Sequence, residues 1–179
     1  MRRCAQGQMV VGVPKDRPTV GDPGLTLVEA QSHMSLWCMA QAVLVATNDV
    51  RLRDESIERI LLNPETISIN QDPWSVPAAR VSAPGRTGDH WARPLANGDL
   101  AVLVLNRQDV PTRTGVDWSS LPGMSGDKGV QFRVRDLQRR SEQTVCDSAE
   151  FDLEPHQTAF VRLTKLGACA TPDPSQDAA

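Results

Sequence analysis

Five consecutive apolar residues, Ala42-Val43-Leu44-Val45-Ala46, stand between two helix-start signals and limit the fold of this chain more than any other stretch. A short unbroken run of this kind, closed by Thr47-Asn48-Asp49, has the pattern of a parallel strand covered on both faces. The helix before it opens at Thr26. That hydroxyl and the Glu29 carboxylate form a capping box, each satisfying a free backbone N–H of the first turn. Leu27, Ala30, Met34 and Trp37 recur at three- and four-residue intervals and make one apolar stripe. The next position in the series, Gln41, is polar, so the helix is expected to end there. Between Ser35 and Gln41 it is apolar all round, which predicts burial on several sides. Beyond the apolar run, Asp54 opens a second helix with Ile57, Ile60, Leu61 and Leu62, ending near Asn63-Pro64, and a helical turn follows over Glu65 to Ile69. A lone parallel strand has no neighbour to take its ladder hydrogen bonds. This part, alone, is therefore expected to expose an apolar patch and an open sheet edge.

From Val76 the texture changes. His90 to Leu95, then Asn97-Gly98, then Leu100 to Asn106 reads as a hairpin around an Asn-Gly turn. Further strands are predicted over Thr112 to Trp118, Val130 to Leu137, Glu142 to Cys146, Glu150 to Leu153 and Thr158 to Leu163, with turn signals such as Leu121-Pro122-Gly123 between them. Short, regularly spaced strands without helices indicate an antiparallel sandwich. Residues 1–23 show no period, and Pro14, Pro18 and Pro23 argue against a regular element. Residues 167–179 are small, polar and proline-bearing and are expected to be a disordered tail.

Composition narrows the function. The 179 residues carry a formal net charge of −3 and are 40% hydrophobic, which suits a globular core. That charge gives no electrostatic reason to expect nucleic acid or an anionic membrane as partner. Arg133, Arg135, Arg139 and Arg140 are the densest basic run. The alternation of the first two with Phe132 and Val134 marks a solvated strand face rather than a phosphate site. No apolar run approaches the roughly 18 residues of a membrane span. Met9 to Val13, after the twin arginines at 2 and 3, is shorter than the ~7–15 residues of a signal-peptide core, so no targeting signal is read.

His33, His90 and His156 lie far apart, with no HxxxH or HExxH spacing, which argues against a metal site. His33, four residues before Trp37, is expected to pack beside it and hydrogen-bond locally, and His156 to stabilise a turn after Glu154-Pro155. No Gly-x-Ser-x-Gly elbow is present. Cys4, Cys38, Cys146 and Cys169 form no CxxC pair. Cys38 reads as a helix core residue, and the pattern leaves open whether Cys146 and Cys169 meet. In a chain with no tyrosine and three phenylalanines, Trp37, Trp74, Trp91 and Trp118 are expected to be core fillers rather than sugar-stacking platforms.

Gly24-Leu25-Thr26, Leu36-Trp37-Cys38-Met39, Asn48-Asp49-Val50-Arg51 and Ile69-Asn70-Gln71-Asp72-Pro73, in that order and spacing, resemble the end of the catalytic barrel of α-galactosidases and α-N-acetylgalactosaminidases (the melibiase family). Looser cues extend the resemblance: Trp91 before Arg93-Pro94-Leu95, Asn97-Gly98, Val102 to Arg107, Val134-Arg135-Asp136-Leu137 and Pro155-His156. The resemblance implies an α+β chain in two parts, the last one to two βα units of a (β/α)8 barrel followed by an antiparallel β-sandwich domain. Its parts are a divergent segment 1–23, the barrel end 24–76, the β domain 77–166 and the tail 167–179. Asn70-Gln71-Asp72-Pro73 is the junction, its proline biasing Asp72 towards an extended conformation.

Enzymes of this family are retaining glycosidases and use two carboxyl groups roughly 5 Å apart, one attacking the sugar and one serving as acid and then base. The resemblance places both aspartates on earlier barrel strands, upstream of any residue matched here. No catalytic residue is therefore assigned, and the chain alone is expected to be inactive on α-galactosides. Neither cofactor nor metal is implied. The family's sugar-contacting Trp-Asn-Asp-Pro-Asp loop survives only as Asp16, a carried-over acceptor for a sugar hydroxyl that reads more simply as an exposed loop aspartate. Asn48 and Asp49, at the C-terminal end of the apolar run where barrel enzymes place functional groups, would hold the rim of the sugar pocket. The simpler reading, which is favoured, has Asp49 pairing with Arg51 or Arg53 and capping the next turn. Implied partners are an α-galactoside or related glycan and a missing barrel segment or a second copy of the chain. The alternative function is a non-catalytic carbohydrate- or protein-binding derivative. Family members are often lysosomal or secreted.

Overall fold

Thr26 starts a helix as its sequence requires. In the computed structural model, which describes residues 20–21, 24–46, 51, 54–81, 88–124 and 129–169, helix α1 spans Leu27–Met39. Thr26 N donates to Glu29 Oε2 at 2.9 Å and Glu29 N donates to Thr26 Oγ1 at 3.2 Å, completing the capping box. The helix stops at Ala40, and Gln41 turns into the left-handed region at φ 51°. Helix α2 (Glu55–Leu61) is capped by Asp54, and α3 (Pro64–Asn70) by Asn63 with proline in its first turn.

The expected parallel strand is not formed. Residues 42–46 adopt no strand, and Val43 and Val45 are 82% and 61% exposed. The reason is lateral: a strand exists through its neighbour's ladder, and among the described residues no strand lies beside this run. Val43, Val45 and Ala46 therefore face solvent, while Leu44 packs, partly buried, against the helix-side core.

Apart from a 3-10 turn at Trp118–Ser120, the remaining described elements are antiparallel strands: β1 (Ala79–Arg80), β2 (Asp89–Pro94), β3 (Leu100–Leu105), β4 (Thr112–Asp117), β5 (Val130–Asp136), β6 (Glu142–Cys146), β7 (Ser148–Leu153) and β8 (Thr158–Ala168). A six-stranded sheet runs β1-β2-β3-β8-β5-β6, and β4 pairs with β7 in a second sheet. The β2–β3 hairpin turns at Asn97-Gly98, Gly98 taking φ 88° as the turn requires. Gly88 is needed for close approach: a Cβ there would meet Leu105 O at 3.3 Å and Thr114 Oγ1 at 3.4 Å.

Sequence alternation assigns each face. Val102 and Val104 of β3, with Val161 and Leu163 of β8 and Phe132 and Val134 of β5, point into the sandwich against Val116, Trp118 and Leu153. Ala101 and Leu103, with Phe160, point the other way, onto Met34, Cys38, Met39 and Ile69 of the helices. β3 and β8 are covered on both sides, which explains the continuous apolar run Leu100–Leu105. Trp118 is fully buried edge-on to Phe132, with centroids 6.3 Å apart. Of the four tryptophans only Trp118 is a wholly buried filler, while Trp74 is 58% exposed. Of the disordered tail expected over 167–179, residues 167–169 are instead ordered, because β8 continues to Ala168 and Cys169 is bonded to Cys146, and residues 170–179 lie outside the described residues.

Candidate functional site: the seam between helices and sandwich

The three positions singled out from sequence, Asp16, Asn48 and Asp49, lie outside the described residues, as does the partner proposed for Asp49 at Arg53. The structure does bring together a seam of polar contacts where the helices meet the six-stranded sheet. Asn63, buried at the start of α3, donates from Nδ2 to Leu137 O at 2.7 Å and accepts from Glu65 N at 3.0 Å. Glu65 is gripped by the Arg135 guanidinium through two parallel bonds of 2.9 and 2.8 Å. That fork, chiefly its hydrogen bonds, holds the Glu65 carboxyl below its ordinary range. Ser32 Oγ donates to His156 O at 2.8 Å, and Gln138 Nε2 donates to both Ser35 Oγ and Thr158 Oγ1.

Asp72 is the junction residue. Its carboxylate accepts from Trp74 N at 3.1 Å and from Ala96 N at 3.0 Å, fastening the end of α3 to the β2–β3 turn. Arg93 stands behind it, fully buried, 3.9 Å from Asp72. Burial lowers the Arg93 pKa, with the Asp72 charge opposing the shift. Cys38 is equally buried and its thiol is pushed up to about 12, so it is an inert core group rather than a nucleophile. His33 packs edge-on to Trp37 with centroids 4.8 Å apart, but its buried Nδ1 makes no hydrogen bond.

Two clefts flank this seam. One of about 470 Å³ lies between α1, α2 and the β5–β6 turn, with Leu27, Val28, Met34 and Ile60 as floor and Gln31, Arg59, Gln138 and Arg140 at its edges. Its lining contains no carboxyl group, so it cannot supply either half of a retaining pair. The other, of about 510 Å³, opens between the two sheets and is lined by Asp136, Glu142, Glu150 and Asp152 beside Phe151. There Asp136 caps its own turn through Gln138 N and Arg139 N, and Arg113 ties Glu150 and Asp152 to one cation. Three further hydrogen-bonded carboxylates serve the fold as well: Asp54 and Asp117 cap helical turns, and Asp89 binds Arg80 and Arg107.

Sequence reading missed Arg93, Asn63 and the Glu65–Arg135 pair. A charged residue at an inward position of a strand, as in Trp91-Ala92-Arg93-Pro94-Leu95, was the available signal for the first.

Comparison with known proteins gives this seam its context. The profile of the α-galactosidase C-terminal β-sandwich domain matches residues 85–163, and that of α-galactosidase A matches residues 12–72. Among curated proteins, the α-galactosidase of Oryza sativa subsp. japonica is 32% identical over 149 residues, covering 83% of this chain and 35% of its own length. That of Cyamopsis tetragonoloba is 32% identical over 140 residues, covering 76% and 33%. The chain thus spans about a third of the length of the curated relatives it matches. Among solved structures, a putative α-galactosidase/melibiase from Bacteroides fragilis superposes with a TM-score of 0.70 at 31% identity, over 79% of this chain and 29% of that one. α-Galactosidase I from Mortierella vinacea shares the fold with a TM-score of 0.77 at 23% identity, over 84% and 39%. The chain belongs to the α-galactosidase (melibiase) family, and the part of that family it carries is the end of the (β/α)8 barrel joined to the C-terminal β-sandwich.

Proposed function

We propose that this chain is the non-catalytic end of a retaining α-galactosidase: it supplies the last barrel helices and the sandwich, while the paired carboxylates come from a barrel segment outside it. The observation that carries this reading is the employment of the hydrogen-bonded carboxylates. Asp54, Glu65, Asp72, Asp89, Asp117 and Asp136 are each engaged by a backbone N–H or an arginine in a structural role. A retaining pair must instead stand free, roughly 5 Å apart, facing a sugar. In the complete architecture the roles carried over from the family are the rim of the sugar pocket for Asn48 and Asp49 and a sugar-hydroxyl acceptor for Asp16, each beside the simpler reading of a turn cap for Asp49 and a loop aspartate for Asp16.

The test is turnover of a chromogenic α-galactoside by the purified chain. No release of chromophore above a heat-killed control is expected, and measurable turnover overturns the proposal. A second reading, a glycan- or protein-binding derivative, draws support from the sandwich having its own core and a cleft rich in hydrogen-bonding groups. Saturable binding of galactosides without turnover would favour it.

A further inference from the structure

The Cys146–Cys169 disulfide sits where the sandwich has least else to hold it. In the six-stranded sheet β5 lies between β8 and β6. Gln131, near the start of β5, is opposite Cys146 on one side and Gly167 on the other. Strands separated by one neighbour normally run about 9–10 Å apart. Here the two cysteine Cα atoms are 6.0 Å apart, so the ends of β6 and β8 have converged at the beginning of β5. Cys169 N also donates to Gly129 O at 2.7 Å, immediately before that strand.

Burial along β8 changes abruptly. Phe160, Val161 and Leu163 are fully buried, whereas residues 165–168 are all exposed, Leu166 at 48%. The pairing with β5 also shifts register between Gln131 and Phe132, which separates the terminal ladder from the part anchored in the core. Residues 165–168 therefore lack apolar burial, and ladder hydrogen bonds and the disulfide at Cys169 help to hold them in the sheet.

We propose that this disulfide is a reducible clasp on the end of β8: intact, it holds residues 165–169 in the sheet, and opened by a dithiol reductant it releases them while the core stays folded. A thiolate of the reductant attacks Sγ of Cys146, which lies on the exposed side of the bond, and Cys169 leaves as thiolate. The reductant's second thiol then displaces Cys146. Two electrons pass to the cysteine sulfurs, which take up two protons, and the reductant becomes a disulfide. Cys38, fully buried with its thiol pushed up to about 12, offers no competing thiolate. A chain using such a clasp matures in an oxidising compartment.

The experiment is hydrogen exchange on the full chain, read by mass spectrometry, oxidised and after reduction with dithiothreitol. Peptide mapping of the oxidised protein first checks the linked peptide. On reduction, exchange within residues 165–169 is expected to rise roughly tenfold or more, with the amides of Val102, Val104 and Val161 unchanged. The Cys146→Ser/Cys169→Ser double variant should exchange like the reduced protein and not respond to the reductant. Equal exchange with the bond open and closed would overturn the proposal. Simultaneous loss of protection in the core amides, or absence of the linked peptide from protein matured under oxidising conditions, would do the same.

Discussion

The Arg93 guanidinium lies fully buried 3.9 Å from the Asp72 carboxylate, and its nitrogens donate no hydrogen bond. A cation held this way keeps most of the cost of leaving water and recovers only part of it from its partner. The pair is therefore asymmetric under mutation. Arg93→Met, close in volume and apolar, should leave stability within about 1 kcal/mol or raise it. Asp72→Ala should destabilise by about 3–5 kcal/mol, because it strands the buried cation and frees the N–H groups of Trp74 and Ala96. Urea unfolding of the two variants measures the difference, and equal losses would show that the pair contributes as an ordinary salt bridge.

Glu65 and Arg135 make the seam sensitive to acid. The fork from Arg135, chiefly through its hydrogen bonds, lowers the Glu65 pKa below the ordinary 4.5. A carboxylate depressed in the folded state contributes stability that is present above the unfolded value and lost as pH falls through the folded one. The expected result is a decline in stability below about pH 4.5 that Glu65→Gln flattens, while the two proteins converge at the acid end. Thermal unfolding between pH 7 and pH 2.5 reads it.

Thr26→Ala removes one acceptor from the start of α1 and should cost about 1 kcal/mol. Glu29 shares the cap: the hydrogen bond from the Thr26 backbone N–H lowers its pKa, so its part also fades as pH falls below the ordinary carboxylate range. Helix content near pH 7 and pH 3, by circular dichroism of wild type, Thr26→Ala and Glu29→Gln, checks both contributions.

Val43 and Val45, at 82% and 61% exposure, are an apolar run without a covering strand. The Val43→Lys/Val45→Lys variant should keep its melting temperature within a few degrees and lower concentration-dependent light scattering several-fold. Unchanged scattering would assign self-association to another surface.

What was legible in the sequence was local. The caps at Thr26 and Asp54 and the turn at Asn97-Gly98 depend on atoms two or three residues apart, so the pattern contains the whole cause. The strand alternation that sends Val102 inward and Leu103 towards the helices is also written in the chain. What was illegible depends on distant partners. Residues 42–46 have the composition of a buried strand, but a strand's existence is decided by its neighbour. Cys146 and Cys169, 23 residues apart, meet only because β6 and β8 both pair with β5 and converge at its start. Trp118 and Trp74 are the same residue type, buried and exposed by topology alone. Of the candidate site, Asp16, Asn48 and Asp49 fall outside the described residues, and the seam at Asp72 and Arg93 was legible only as a junction.

Strand β8 follows every other described strand, yet it forms the middle of the large sheet, pairing with β3 on one side and β5 on the other. During synthesis the β1-β2-β3 and β5-β6 pieces must therefore wait, the edges at β3 and β5 uncovered, until residues 158–168 emerge. Closing contacts of such long sequence separation are slow to form. The half-made sheet, with Leu103 and Val134 still uncovered, is the state in which a chaperone has most to protect.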